Sequence, residues 1–385
     1  MRRAALFQAT ALAAPTPTQG SRPSLPITVA GTLQTTSGLG QSARLCLSAL
    51  ASVDIPVSGV DITSSLMQPK DYTGLAPFEE ALEGPGTLIL HVNSPLVPLA
   101  MLRLGRRLVR DKHIVGYWAW ELPRVPADWH HGIAFVHEIW VPSHFTAEAI
   151  RPIAAGRHVH VVPHPVATHV PPRAPPRSPG DRPFTALTVF DTASSFARKN
   201  PCAAIEAFKL AFGGDPTVRM IIKASNLSAY PDGLQRIQNA VGSARNIVIL
   251  DDILSAPALA ELYSNADVVL SLHRSEGFGL TLAEAMLHGL PVIATGWSGN
   301  VDFLTEENGI PIGYRLVAAE DPQGIYDHRG MTWADANVAE AAQALRRLRD
   351  DPEHRFRLGE AARVFAARAW SPAAYAATVM RHLGL

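Results

Sequence analysis

The sequence predicts an α/β protein made of two doubly wound domains, and three observations lead to that class. Its 385 residues exceed what one domain of about 150 residues takes up. From Ile27 onward, short apolar runs alternate with segments of helical period, the pattern of βαβ units and parallel sheets. The pattern occurs twice, and a proline-dense stretch separates the two occurrences.

In the first half, Ile27–Leu33, Thr87–Val92, His113–Trp120, Glu138–Val141 and His158–Val162 read as strands, with helical stretches at Gly38–Val53, Leu96–Arg110 and His144–Ile150. In the second half, Phe184–Phe190, Val218–Lys223, Asn246–Leu250, Asp267–Leu272 and Pro291–Thr295 take the strand role. Pro163, Pro165, Pro171, Pro172, Pro175, Pro176, Pro179 and Pro183 crowd the stretch between the halves, where no sheet or helix interior tolerates them. The expected division is therefore a flexible tail over 1–26, a first domain over 27–165, a Pro-rich linker over 166–182 and a second domain over 183–369, with a last helix over 370–385. Met1–Ala14 carries Arg2, Arg3 and a short apolar patch, a faint likeness to a signal peptide that Gln8, Thr10 and the following Pro/Thr/Ser-rich stretch argue against.

Composition excludes several classes of function. With 47% apolar and 18% charged residues, the chain is neither disordered throughout nor collagenous nor a coiled coil. Its 34 Lys and Arg balance 34 Asp and Glu, so the basic field that drives non-specific nucleic-acid binding is missing. Cys46 and Cys202 alone build no disulfide framework and no thiolate zinc site, which fits a reducing cytoplasm. The 15 histidines include His130-His131 and His158-x-His160, but neither pair has carboxylate or thiolate partners at a metal-ligand spacing, so no metal is expected. No apolar run reaches the roughly 20 residues of a transmembrane helix, so membrane contact is expected to be peripheral at most. Arg103, Arg106, Arg107 and Arg110 fall at i, i+3, i+4 and i+7 of the Leu96–Arg110 helix, and such a basic stripe suits the anionic inner face of a membrane or, equally, an ordinary solvated surface.

In doubly wound sheets ligands bind at the carboxyl ends of strands, and two such domains are expected to face each other across a cleft. The loops after strands are therefore the place to look. Asp267–Leu272 is followed by His273, Arg274, Ser275, Glu276, Gly277, Phe278 and Gly279 and then a helix from Leu280, an arrangement in which glycines let amides approach an anion at a helix start. Glu276 and Glu284 have seven residues between them; one sits in the loop to meet sugar hydroxyls, the other inside the helix to take a ribose diol, and the alternative is a solvated acidic helix start. After the strand ending at Asp191, Arg198 and Lys199 precede Asn200-Pro201, an N-cap and N1 pair, so two cations stand at a helix mouth where a diphosphate is well placed. Lys223, at the end of its strand, points to the same crevice or is a rim charge.

The run Ser275–Gly296, with its Glu-x7-Glu pair, the Gly-Leu-Pro-Val-Ile-Ala strand and the Ser298-Gly299-Asn300 loop behind it, resembles the signature of glycosyltransferase family 4, retaining enzymes of the GT-B fold with two Rossmann-like domains. The resemblance implies that Glu284 holds the nucleotide ribose, that Glu276 faces the donor sugar, and that Gly277, Phe278, Gly279 and Leu280 line the diphosphate. It also implies that Lys199 neutralises the departing diphosphate with help from Arg198, since an arginine common six residues before that lysine is here Ala193. In the first domain Gly38 and Gly40, behind the first strand, match a loop near donor phosphate and acceptor. His91 is chosen for a histidine near the reacting carbon, although His144 and His164 also follow predicted strands. Trp118 and Glu121 read as a sugar surface, an aromatic face beside a carboxylate, with core tryptophan as the alternative.

The function so implied is transfer of a hexosyl residue, mannose being the family-weighted choice, from a nucleoside diphosphate sugar to a saccharide or lipid-linked saccharide, without metal or other cofactor, in surface polysaccharide synthesis. An epimerase or phosphorylase on the same plan and a non-catalytic sugar- or nucleotide-binding module remain as other readings. A nicotinamide dehydrogenase is disfavoured, because neither Gly-rich loop has the full Gly-x-Gly-x-x-Gly spacing.

Overall fold

The computed structural model describes residue 10, residues 12–168 and residues 182–385. The chain divides into two compact units, Met1–Thr168 with Trp370–Leu385, and His169–Ala369. Most of the signal-like segment and all prolines from Pro171 to Pro179 lie outside the described residues.

The first unit is a six-stranded parallel sheet of β1 (Ile27–Gly31), β2 (Val57–Asp61), β3 (Gly86–His91), β4 (Lys112–Tyr117), β5 (Glu138–Val141) and β6 (Val159–Val161), in the order β2-β1-β3-β4-β5-β6. β1, β3, β4 and β5 are buried along their whole length, as central parallel strands covered on both faces are, and this is why they read as largely apolar runs, with polar residues mainly at their ends. β2 was not anticipated: Val57-Ser58-Gly59-Val60-Asp61 is only partly buried and carries neither an apolar run nor an alternation. The helix Gly38–Ala51 starts at Ser37, whose hydroxyl accepts from the Gly40 amide at 3.2 Å, and buries Ala43, Cys46, Leu47 and Leu50. The same core takes Tyr375, Ala376, Val379 and Leu383 from the final helix, Pro372–Leu383, so residues far apart in sequence complete one core. Burial of Val379 and of Leu383 is worth about 1.5–3 kcal/mol each.

Two expectations for this unit are corrected. The helix predicted over Leu96–Arg110 is broken at Gly105 (φ 81°, ψ 154°) into Val97–Leu104 and a single turn, Arg106–Val109. Arg103, Arg106, Arg107 and Arg110 are exposed but do not form one stripe on one helix. The described part of the 1–26 tail is not free either. The Thr18 hydroxyl donates to the Arg110 carbonyl at 2.6 Å, the Ser21 carbonyl meets His113 Nδ1 at 3.0 Å, and Ser24 exchanges two hydrogen bonds with Thr87.

The second unit is also a six-stranded parallel sheet, β12-β11-β10-β7-β8-β9, from β7 (Phe184–Asp191), β8 (Val218–Ser225), β9 (Ile247–Asp251), β10 (Val268–Ser271), β11 (Val292–Thr295) and β12 (Ile310–Ile312). From β7 the chain winds outward through β8 and β9, then returns to the other side for β10, β11 and β12, so the winding reverses between β7 and β10. A reversal of this kind parts the two loops that follow, and ligands settle there. An antiparallel hairpin of β13 (Tyr314–Ala318) and β14 (Thr332–Ala336) stands apart from the sheet and was not anticipated, because β13 is mostly exposed and shows no apolar face. Among the described residues no helix is long and apolar enough to cross a membrane.

Candidate functional site

The loops after β7 and β10 are tied to each other by backbone and side chain. Arg274 N donates to the Arg198 carbonyl at 2.7 Å, and the Asn200 amide donates to the Leu272 carbonyl at 3.0 Å. Arg198 and Lys199 lie on a one-turn helix, Phe196–Lys199, capped by Ser195, whose Oγ accepts from Arg198 N at 3.2 Å. The two cations therefore stand on a turn of their own that directly precedes the next helix. Asn200 does precede Pro201 at the start of Pro201–Phe212, but in the left-handed region (φ 49°), and its side chain bonds to the β10 loop instead of capping the helix.

Both cations reach Glu276. Lys199 Nζ donates to Glu276 Oε1 at 2.6 Å, and Arg198 Nη1 lies 3.3 Å from Glu276 Oε2. Glu276 is 8% exposed, so desolvation favours its neutral form. Lys199, Arg198 and, more weakly, His273 pull the other way and win, holding the carboxyl down at about 2. Arg198 is itself fixed: its Nη1 donates to the Ser275 carbonyl at 2.7 Å, and its Nε and Nη2 donate to the Ser194 carbonyl at 3.1 and 2.9 Å. Two cations against one carboxylate leave this corner of the loops with a net positive charge.

The helix after β10 runs Leu280–Leu287, and no side chain caps its start. Its cap position is Gly279 at φ +104°, a conformation open to glycine and costly for other residues. First-turn amides with no side-chain acceptor, at the positive end of a helix, suit an anion. Phe278 is buried with its ring 5.1 Å from that of Phe303, so it offers backbone only. Glu284 accepts from the Tyr263 hydroxyl at 3.2 Å. Lys223 is buried, and not the rim charge that was the alternative; burial lowers its pKa, while the nearby Asp191, Asp251, Glu284 and Asp252 oppose that.

The loop after β11 closes on the same backbone. Ser298 Oγ accepts from Glu276 N at 2.8 Å, and Gly299 N donates to the Glu276 carbonyl at 2.9 Å. A Cβ on Gly299 would stand 2.3 Å from the Gly277 carbonyl oxygen, so only glycine lets these loops meet. Below them His273 links Ser271 Oγ and Asn300 Oδ1, both at 3.0 Å, and the Asn300 amide donates to the Thr295 carbonyl at 2.9 Å. Because Asn300 Oδ1 is the acceptor, His273 carries its proton on Nε2 and takes the Ser271 hydroxyl on Nδ1.

The remaining expected residues belong to the first unit and are described there by themselves. His91 is enclosed, with Nδ1 2.8 Å from Ser42 Oγ, its ring stacked 4.5 Å from Tyr117, and Nε2 without a hydrogen-bond partner. Burial, with His164 adding to it, pushes the imidazole down to about 3, so it is neutral at ordinary pH. Trp118 is corrected: it is fully buried, edge-on to Trp129 at 5.9 Å, and its ring offers no face to a sugar. Glu121 is half-buried. The structure makes no demand for glycine at Gly38, where an added Cβ meets nothing within 4 Å, whereas at Gly40 it would stand 2.3 Å from Thr35 Oγ1. Among the described residues no group of three or more His, Cys, Asp or Glu side chains is placed to hold a metal.

Ser195 and Arg274, which shape the cation turn, were missed. Ser195 carries a readable trace, since serine three residues before Arg198 is a capping spacing.

The family model described as "Family 4 Glycosyltransferase in conflict systems" matches residues 143–379. The chain is 34% identical over 185 residues to D-inositol 3-phosphate glycosyltransferase of Corynebacterium glutamicum, covering 46% of this chain and 38% of that protein. It is 30% identical over 172 residues to the enzyme of the same name from Thermomonospora curvata, covering 43% and 35%. The matched region thus spans between a third and two fifths of these curated relatives. Among solved structures, a glycosyltransferase from Rickettsia africae superposes with a TM-score of 0.63 at 12% identity, covering 94% of this chain and 98% of that one. Anabaena Alr3699/HepE in complex with UDP and glucose superposes with a TM-score of 0.60 at 13% identity, covering 93% and 99%. At such identities the likeness shows the fold, that of the GT-B glycosyltransferases.

Proposed function

The chain belongs to the family 4 glycosyltransferases described in conflict systems, and on that premise we propose that it moves a hexosyl residue, with retention of anomeric configuration, from a nucleoside diphosphate sugar to a hydroxyl of a saccharide or lipid-linked saccharide. The observation that carries the reading is the convergence of Arg198 and Lys199 on Glu276 at the reversal of the sheet winding, beside a helix start that no side chain caps. As the anomeric C–O bond breaks, negative charge grows on the departing diphosphate and meets Lys199, Arg198 and the amides at Leu280, groups already in place when the charge appears. Glu276, ionised, faces the ring that becomes positive. Glu284, held by Tyr263, takes the ribose diol, and Lys223 adds positive potential beside it. Cations and amide dipoles fill the role at the diphosphate that a metal ion fills elsewhere. That relatives and neighbours are named for transfer to an inositol phosphate or for binding UDP supports a nucleotide-sugar donor and a hydroxylic acceptor.

The test is a panel of UDP-, GDP-, ADP- and dTDP-sugars given to the purified chain, with products identified by mass spectrometry and the anomeric configuration of the new bond read by NMR. Transfer with retention that Lys199→Ala and Glu276→Ala abolish supports the proposal. Isomerised donor with no transfer would make the chain an epimerase, and donor binding with turnover no higher than in the Glu276→Ala protein would make it a binding module.

A further inference from the structure

The β13–β14 hairpin has no part in the sheet, yet the link between its strands, residues 319–331, reaches the turn that bears both cations. Asp321 lies at the start of that link and is 3% exposed. Its Oδ2 accepts from the amides of Ile325 and Tyr326, both at 3.1 Å, and its Oδ1 accepts from Gln323 N at 3.2 Å, so the carboxylate shapes its own loop. Oδ1 has one further partner, the hydroxyl of Ser195 at 2.9 Å.

That hydroxyl has a second task. It accepts from Arg198 N at 3.2 Å, so the proton it gives to Asp321 fixes its lone pairs toward the turn. Ser195 stands at φ 76°, ψ 110°, a left-handed conformation rare for residues with a Cβ and held only where the surroundings determine it. The link makes two more contacts with the same turn. Gln323 Oε1 accepts from Phe196 N at 2.5 Å while its amide donates to the Thr192 carbonyl at 3.0 Å, and the Tyr326 ring lies 5.3 Å from the Arg198 guanidinium carbon. Three side chains of one link thus hold the N-terminal end and the Arg198 side chain of a four-residue helix, which has too few internal hydrogen bonds to hold its own shape.

We propose that Asp321, assisted by Gln323 and Tyr326, is a positioning residue for anion recognition: acting through Ser195, it holds the Phe196–Lys199 turn in the strained conformation that presents Arg198 and Lys199 to a diphosphate. The proposal rests on the diphosphate reading of this site. A link swung away would let Ser195 relax to an ordinary φ, turn the helix start, and carry the cations off Glu276, so the hairpin sets anion affinity without touching the anion.

The experiment is a double-mutant cycle on the full chain, with inorganic pyrophosphate, UDP and GDP as probes, affinities measured by calorimetry and melting temperature measured in parallel. Asp321→Ala and Ser195→Ala are each expected to weaken binding of whichever probe the wild type takes by at least tenfold. The double variant should bind no worse than the weaker single one, because both remove the same link. Asp321→Asn, which keeps an acceptor for the Ser195 hydroxyl but turns a donor on the link's amides, should fall between. If the Asp321 variants do not fold, Ser195→Ala and Gln323→Ala carry the same expectation. Melting temperatures that drop while affinities stay within twofold of wild type would give Asp321 a merely structural role and overturn the proposal, as would strictly multiplicative losses in the double variant. A wild-type chain that binds none of the three probes would instead remove the diphosphate reading, and this inference with it.

Discussion

Glu276 stays charged in a place where burial alone would protonate it, and Lys199 supplies the largest part of the opposing pull. The sign of the resulting pH dependence follows. The folded carboxyl titrates at about 2 and an unperturbed one near 4.5, so its ionisation stabilises the fold fully above 4.5 and the contribution disappears as pH falls toward 2. It amounts to on the order of 3 kcal/mol. Lys199→Met should raise the folded value and shrink the difference in urea midpoint between pH 6 and pH 3, which equilibrium unfolding of both proteins at both pH values would reveal; an unchanged difference would show that Lys199 does not hold the charge. The same variant should lower kcat by about 10²–10³, the scale for removing one preorganised group from a developing anion, with product formation as the readout. His91 should leave no acid limb in the rate profile between pH 5 and 8, since burial has moved its titration down to about 3. A limb in that range that vanishes in His91→Asn would contradict this. At this scale the sequence was informative where chemistry is carried by residue type: Glu276, Lys199 and Arg198 were legible as a group. It was uninformative where burial decides, because Trp118 has the same letter on a sugar platform and in a core.

Glycines distinguish the loops that need close backbone approach from those that merely turn. Gly299→Ala places a methyl against the Gly277 carbonyl and should cost about 1–3 kcal/mol of stability along with donor binding. Gly40→Ala presses on Thr35 and Thr32 and should also destabilise, whereas Gly38→Ala, in open space at a helix start, should be neutral or raise stability by up to about 1 kcal/mol. Thermal melts of the three proteins check the order, and a Gly38→Ala protein that melts normally but loses activity would show that substrate, not the fold, requires that glycine. Elements that are mostly apolar, such as β3, β7 and β10, were legible from sequence because a parallel strand covered on both faces is built largely from apolar residues, the threonines of β3 and β7 being the small interruptions. β13 and the Val57–Asp61 strand were not, since neither has a fully buried face to imprint a pattern. The helix over 96–110 was read as continuous across Gly105 because one glycine costs a helix only about 1 kcal/mol, too little for periodicity alone to register a break. Asp321 escaped for a different reason: its partner Ser195 is 126 residues away, and no local spacing encodes that contact.

On the scale of the whole chain, the first unit is not one stretch of sequence. Its core depends on Tyr375, Ala376, Val379 and Leu383 from the last helix, while everything from His169 to Ala369 forms the other unit. Val379→Asp, which puts a charge into a fully buried position, should loosen the first unit by several kcal/mol and leave the second intact. Hydrogen exchange read segment by segment should show protection lost in β1, β3 and β4 but kept in β7, β8 and β10. Uniform loss would mean that the two units unfold as one. The discontinuity also imposes an order of events during synthesis. A ribosome releases every residue of the second unit before the first has received its closing helix, so the first sheet must wait, with the apolar residues of Gly38–Ala51 uncovered, until Pro372–Leu383 emerges. Nascent chains of this protein therefore owe their longest period of vulnerability to the N-terminal sheet.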